Sequence, residues 1–438
     1  MILAGKKVAV LGAGGSGIAA ATLALSHGAS VAAFDSGNVD KLKPAVSRFE
    51  EIGVALTCGD SALSPASQFD VTVISPGIDT AWPIAQAFER VSGELIGEIE
   101  LAYRLTDIPI VAITGTNGKT TTTSLVEEML VSSGVRAVAA GNIGLAFSEV
   151  VGSGESYDWI VLELSSFQLE TIKSFSPEIG VWMNFAPDHM DRYGSLDEYR
   201  EAKLRLFENW GDEKAAICKL EDGLRPSPDT VTFSAFSDGG DFSFANGKVV
   251  HSASGREFDF SSAELQGRHN AENVMVALAV ADQLGLSWER VGSSIAAFRA
   301  PAHRCEKVGV VNDVTYLNDS KSTNLHSLES ALAGQELPVV LVAGGKDKGL
   351  DYSSLAELAS ESVTTCICIG EIAGEIAGAW GGLIPCRVAE SIPEAVALAA
   401  AVAAEGDTVL FSPGTSSFDM FSGYEARGDA FREAVAKL

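Results

Sequence analysis

Residues 114–121 read Thr-Gly-Thr-Asn-Gly-Lys-Thr-Thr, between an apolar run at 110–113 and a helix-like stretch at 124–130. Glycines that let backbone amides converge, followed by Lys-Thr at a helix start, form a cradle for phosphates. The amides of Gly115, Thr116, Asn117 and Gly118 would hold the anion. The Lys119 ammonium would neutralise a transferring γ-phosphoryl group, and the Thr120 hydroxyl would ligate Mg²⁺, with Thr121 beside it. Ile113 stands where the general GxxxxGK[ST] pattern has its first glycine. Even so, a strand, this loop and a helix in that order read as an ATP site.

A second glycine run, Gly12-Ala-Gly14-Gly15-Ser16-Gly17, follows the apolar stretch 7–11, and Asp35 ends the next strand-like run, 18 residues after Gly17. Such a GxGxxG takes a diphosphate on amides at a helix N-terminus, with the acidic residue on a ribose. Glycines that only permit a tight turn are the alternative. The motif senses a nucleotide diphosphate without naming the nucleotide.

Three further residues fit metal-assisted phosphoryl transfer. Glu163 closes an apolar strand, where a carboxylate without a partner is costly, so it serves either a cation or a structural salt bridge. His189 and Asp188 follow the run 179–184, at the carboxyl edge where α/β sheets bind ligands. With Thr120, Glu163 and His189 could share divalent cations, and oxygen-rich, partly hydrated sites suit Mg²⁺. Lys203 falls on the apolar stripe of a helix expected over 196–210, formed by Leu196, Tyr199, Leu206, Phe207 and Trp210. Ser195 and Glu198 supply its capping box. Either the lysine stem packs while its ammonium reaches water, or burial yields a free amine able to capture CO₂ as a carbamate.

The elements that must position these groups alternate. Strand-like runs at 7–11, 108–113, 159–162, 179–184, 339–343, 365–369 and 408–411 are separated by helix-like segments. Continuous apolar strands between helices imply an α/β fold with mainly parallel sheets covered on both faces. At 438 residues, two or three domains are expected. Three blocks separate: 1–98, 99–299 and 300–438, with a hinge at Ala300-Pro301 and a small β excursion at 221–264.

Acidic residues number 58 against 31 lysines and arginines, a net charge of −27. That field repels nucleic acid and anionic membranes, so anionic substrates must be held by local cations or helix N-termini. Cys58, Cys218, Cys305, Cys366, Cys368 and Cys386 form no CxxC pair and read as reduced thiols of a cytoplasmic protein. The charge-free stretch 8–26 after Lys6-Lys7 mimics a signal peptide, but Gly12, Gly14, Gly15 and Gly17 would weaken an apolar helix there. No other run approaches a membrane span.

The sequence resembles the Mur ligases, ATP-dependent amide-forming enzymes of peptidoglycan precursor assembly. The resemblance rests on TGTNGKTTT at 114–122, ELSSFQL at 163–169 and NFAPDHMDR at 184–192. It extends through Gly267-Arg-His-Asn270 to Asn273, and through His303-Arg304-Cys-Glu306. With Leu317-Asn-Asp-Ser-Lys-Ser-Thr323 and Ser412-Pro-Gly-Thr-Ser-Ser-Phe-Asp419, the set is most similar to the branch that adds D-glutamate to UDP-N-acetylmuramoyl-L-alanine. The DNPR-like signature of the diaminopimelate- or lysine-adding branch is absent.

The resemblance implies a Rossmann-like first domain, a P-loop-type central ATPase and a Rossmann-like third domain, acting as a monomer. It implies carbamylation of Lys203 and catalytic or metal roles for Lys119, Thr120, Glu163 and His189. Asn273 would contact adenine, and Arg304 and Asp319 would hold the nucleotide. Gly15 and Ser16 would take the diphosphate of the UDP substrate, Asp35 and Ser75 its uridine, and Asn142 the muramoyl part. Lys321, Thr323, Lys348, Ser417 and Tyr424 would hold the incoming amino acid, where two ammonium groups suit an acceptor with two carboxylates. Three departures stand out: Ser36-Gly37 where an arginine can follow the acidic residue, Gly414-Thr415-Ser416 for the usual ACA-like run, and Tyr424 where phenylalanine is common. The rival readings are another acceptor on the same scaffold, a folate-type polyglutamyl ligase, an NAD-dependent dehydrogenase and a non-catalytic nucleotide-binding module.

Overall fold

The computed structural model describes all residues except Asp191, Asp212, Gln266, Ala300, Pro301, Gly334, Glu336 and Leu337, and omits the side chains of His326 and Ala333. The expected hinge at Ala300-Pro301 therefore lies outside the described residues. Three sheets carry the chain.

The first is built from β1 (Lys7–Leu11), β2 (Ser30–Asp35), β3 (Leu56–Cys58), β4 (Phe69–Ile74) and β5 (Ser92–Gly97), in the order β3-β2-β1-β4-β5. Every pairing is parallel, with Val8 opposite Val31 on one side and Val71 on the other. Val8, Ala9, Val10 and Leu11 are all buried, because helices cover both faces. The chain leaves β1 through Gly12 at φ +104°, where an added Cβ would sit 2.6 Å from Ser75 Oγ.

The second sheet joins β6 (Ile110–Thr114), β7 (Ala137–Gly141), β8 (Trp159–Glu163), β9 (Ile179–Trp182), β10 (Ala215–Lys219), β11 (Val231–Ser234), β12 (Phe242–Ala245), β13 (Lys248–His251) and β14 (Glu257–Asp259). Their order is β14-β13-β12-β11-β10-β9-β6-β8-β7. The small β excursion expected at 221–264 supplies β11 to β14, which continue this sheet past β10. Within it β12 and β13 form an antiparallel hairpin around Asn246-Gly247, at φ +52° and +74°, the tight turn that Asn-Gly favours.

The third sheet comprises β15 (Glu306–Val311), β16 (Val314–Asn318), β17 (Val339–Gly344), β18 (Val363–Ile369), β19 (Cys386–Ala389) and β20 (Thr408–Phe411), ordered β15-β16-β20-β17-β18-β19. Only β15 pairs antiparallel.

Two compact units divide the chain. One takes Met1–Phe185, His189–Phe258 and Asn273–Ile295; the other takes Ala186–Asp188, Asp259–Glu272 and Ala296–Leu438. In the former, the first two sheets share one apolar core, in which Leu23, Phe49 and Val71 belong to the same cluster as Ile99, Leu162 and Phe175. Among the described residues no helix is long and apolar enough to cross a membrane.

Candidate active site

At the carboxyl end of β6 the chain turns through Gly115 (φ +148°) and Gly118 (φ +81°) into the helix Lys119–Ser132. Side chains would not fit at either glycine: a Cβ on Gly115 would lie 2.7 Å from Met183 Cβ, and one on Gly118 2.7 Å from Asn273 Oδ1. The loop is clamped from β9's end. Asn184 O accepts from Thr116 N at 3.0 Å, its Oδ1 accepts from Asn117 N at 2.8 Å, and its Nδ2 donates to Asn117 O at 3.1 Å. Lys119 Nζ donates to the carbonyls of Gly115 (2.9 Å) and Thr116 (2.8 Å), which holds the ammonium over the loop. Asn273 accepts from Thr122 Oγ1 at 3.0 Å, tying it to the first turn of the P-loop helix.

Glu163 ends β8 with 2% of its surface exposed. Its Oε2 accepts from the Thr120 hydroxyl at 2.6 Å and its Oε1 from Asn142 Nδ2 at 2.8 Å. Parallel pairing of β6 with β8, Ile113 opposite Glu163, sets this meeting. A buried hydroxyl and carboxylate side by side supply the hard oxygen donors that Mg²⁺ prefers, so the residues fit that ion.

Lys203 is also 2% exposed, on the inner face of the helix Leu196–Leu204. Its Nζ donates to Gly115 O at 2.8 Å and lies 4.8 Å from the centre of the Tyr199 ring. Snorkelling to water is therefore not what this side chain does. Tyr199 meets the phosphate loop as well, with its hydroxyl 3.3 Å from Thr116 Oγ1. The His189 ring packs between Phe167, at 4.9 Å, and Tyr199, at 5.9 Å. The backbone at His189 holds φ +55°, a left-handed turn unusual for a side-chain-bearing residue.

The helix itself differs from expectation. It ends at Leu204 in a 3-10 turn, Arg205–Phe207, and Leu196 is exposed rather than part of the buried stripe. Ser195 caps Glu198 N, but the Glu198 carboxylate accepts from Gly194 N instead of closing a reciprocal box.

On the first sheet, Gly15 and Ser16 open the helix Gly15–Ser26. Asp35 binds backbone rather than standing open: Oδ2 accepts from Ala13 N and Oδ1 from Gly37 N, each at 2.8 Å. It thus braces the glycine loop. Ser75 Oγ is buried beside Gly12 with no hydrogen-bond partner among the described residues.

On the third sheet, Asp319 accepts from Ser412 Oγ at 2.7 Å and from Cys305 N at 3.2 Å, next to Arg304. Lys321 Nζ donates to Tyr424 OH at 3.0 Å and lies 4.6 Å from the centre of that ring. Lys348 Nζ donates to Thr323 O at 3.5 Å, and Ser417 is buried in the loop after β20. All of these project from the carboxyl edge of one sheet or from the helix Tyr424–Val435 beside it.

Residues 113–281 match the Mur ligase middle domain, and residues 303–414 match the Mur ligase glutamate ligase domain. A Geobacter metallireducens protein named UDP-N-acetylmuramoylalanine--D-glutamate ligase is 38% identical across 100% of this chain and 99% of its own length. The chain belongs to the Mur ligase family. A Syntrophotalea carbinolica relative of the same name is 40% identical, covering 99% of this chain and 98% of that protein. The solved MurC, UDP-N-acetylmuramate-alanine ligase, from Thermotoga maritima shares the fold at TM-score 0.63 and 20% identity over 99% of each chain. A MurF ligase from the same organism, in complex with ADP, has TM-score 0.59 and 14% identity over 86% of this chain and 99% of that one.

As a Mur ligase the chain is an ATP-dependent, ADP-forming amide ligase. A dehydrogenase reading of Gly12–Gly17 falls with that. Two residues that close the site escaped the sequence reading. Tyr199 registered only as one apolar position on a helix, and Asn184 only as a strand end and the first residue of the 184–192 motif, with no role assigned. Arg192 is a third: it pairs with Glu170 at 2.6 Å and Asp79 at 3.1 Å, linking the His189 turn to the loop after β4.

Burial raises the Asp319 carboxyl from 3.8 to about 6, against the opposing pull of Ser412 and Arg304. The folded chain therefore holds this proton more tightly than the unfolded one. Its stabilising contribution is complete below pH 3.8 and lost as pH rises through about 6. Asp319→Asn should remove that slope and leave the variant roughly 2 kcal/mol better off above pH 7. Thermal melts of both proteins from pH 5 to 8 check it; parallel curves contradict it.

Proposed function

We propose that this Mur ligase adds D-glutamate to UDP-N-acetylmuramoyl-L-alanine in peptidoglycan precursor synthesis, as a cytoplasmic monomer. The observation that carries the acceptor is full-length similarity, at 38–40% identity, to relatives that bear that name. The functional blocks are 1–98 for the UDP substrate, 99–299 for ATP and 300–438 for the amino acid.

The substrate carboxylate attacks the γ-phosphorus of ATP, giving an acyl phosphate and ADP. The amine of D-glutamate then attacks the activated carbonyl, and the tetrahedral intermediate expels phosphate. The amides of Gly115–Gly118 and Thr121 hold the phosphates, while Lys119 stabilises charge on the transferring group. Thr120, Glu163, His189 and a carbamylated Lys203 would hold Mg²⁺, which supplies charge neutralisation at the phosphoryl oxygens. Asn273 takes the adenine, and Arg304 and Asp319 take the nucleotide. Gly15 and Ser16 bind the diphosphate, Asp35 and Ser75 the uridine end, and Asn142 the muramoyl part. Asp35 acts there through the amides it already organises. Lys321, Thr323, Lys348, Ser417 and Tyr424 bind the acceptor.

The test is product mass after incubation with ATP, Mg²⁺ and UDP-N-acetylmuramoyl-L-alanine, comparing D- with L-glutamate. The expected result is one added glutamyl residue with the D-isomer alone. Equal failure of both isomers, or equal use of both, overturns the acceptor assignment.

A further inference from the structure

One buried cation of the third sheet takes no part in the scheme above. Arg427 lies in the helix Tyr424–Val435 with 2% of its surface exposed. Its guanidinium sits where the loops after β16, β17 and β20 converge. Nε donates to Ser320 Oγ at 3.1 Å, and Nη2 donates to Ser320 O at 2.8 Å and Thr415 O at 3.0 Å. Nη1 is buried without a hydrogen-bond partner among the described residues, 3.0 Å from where a Cβ on Gly345 would lie. The third loop is stitched to the same cluster: Thr415 Oγ1 donates to Lys346 O at 2.7 Å, and Lys346 N donates to Ser416 O at 2.9 Å.

Burying a guanidinium with one edge unsatisfied is costly, and an apolar side chain would fill the space more cheaply. Burial pulls its pKa down to about 10, opposed by the Asp419 carboxylate, so it stays charged at neutral pH. What only a planar fork of donors can do here is hold two backbone carbonyls from separate loops at one spacing. Those carbonyls belong to Ser320, the neighbour of Lys321, and to Thr415, two residues before Ser417.

We propose that Arg427 is a positioning residue for the acceptor amino acid, clamping the Ser320 and Thr415 loops so that Lys321 and Ser417 stand at the separation the acceptor requires. The inference rests on the reading that the third block binds the acceptor. D-glutamate-dependent ADP release by the unmodified enzyme tests that reading by itself.

Steady-state kinetics with each substrate varied tests the inference. Arg427→Lys is expected to raise KM for D-glutamate at least about tenfold while KM for ATP and for the UDP substrate stays within about twofold. Adding methylguanidinium to Arg427→Gly should recover part of the lost D-glutamate affinity. A merely structural role would instead move all three KM values and kcat together, and that result, or no change, overturns the proposal. Should the Arg427 variants not fold, Ser320→Ala removes the hydroxyl that accepts from Arg427 Nε and donates to Tyr424 O, and should raise KM for D-glutamate roughly threefold. An unchanged value there overturns the proposal equally.

Discussion

Lys203→Ala is expected to lower kcat/KM by at least about a thousandfold, and millimolar acetate should restore part of it. The lysine stem is buried, its nitrogen lies 2.8 Å from Gly115 O, and the Tyr199 ring covers it at 4.8 Å. The Gly115 carbonyl can accept an N–H from an ammonium or from the single N–H of a carbamate, more strongly from the charged ammonium. The two states differ in what lies beyond the nitrogen. Addition of CO₂ to the free amine releases a proton and leaves an anionic carboxylate on a long arm, a metal ligand that an ammonium cannot be. Alanine removes that arm and leaves room for a small free carboxylate in its place. Lys203→Arg separates the alternatives, because arginine keeps the positive charge and cannot form the carbamate. It should be as inactive as the alanine variant. An arginine variant with ordinary activity, or an alanine variant fully active without added carboxylate, refutes the carbamate reading.

How much of this was legible in the residues varied with the range of the interaction. β1 and β20 begin and end where the apolar runs do, and both glycine turns sit where their spacing placed them. Those are local decisions: apolar stretches between glycines leave the chain few choices. Lys203 could be placed on an inner face by periodicity, but its contact with Gly115 O spans 88 residues and no local pattern encodes it. Asp35 could be placed at a strand end, yet its side chain serves the amides of Ala13 and Gly37. The run 221–264 reads as a small β excursion within the middle block, but its continuation of the sheet depends on pairing to β10, a partner that sequence spacing does not specify. Tyr199 and Arg427 were missed for the same reason. A tyrosine on an apolar stripe and an arginine in a terminal helix become informative only when distant loops close on them.

Glu163→Gln should lower kcat by roughly a hundredfold and raise the Mg²⁺ concentration needed for half-maximal rate at least about tenfold, while the protein stays folded. The substitution keeps shape and volume. The Thr120 hydroxyl donates to Glu163 Oε2 and the Asn142 amide to Oε1. Glutamine offers one oxygen and one NH₂, so one of those donors loses its acceptor. The Asn142 amide can rotate to present its own oxygen, and the Thr120 hydroxyl keeps the glutamine oxygen, so the pairing survives with little cost. The melting temperature should accordingly move by no more than about 4 °C. What does not survive is the negative charge beside the hydroxyl, the feature that distinguishes a cation site from a hydrogen-bonded brace. A brace would lose stability and keep its Mg²⁺ dependence; a cation site would lose Mg²⁺ affinity and keep its stability. ADP release titrated with Mg²⁺, alongside a thermal melt, therefore decides between a cation site and a hydrogen-bonded brace at Glu163.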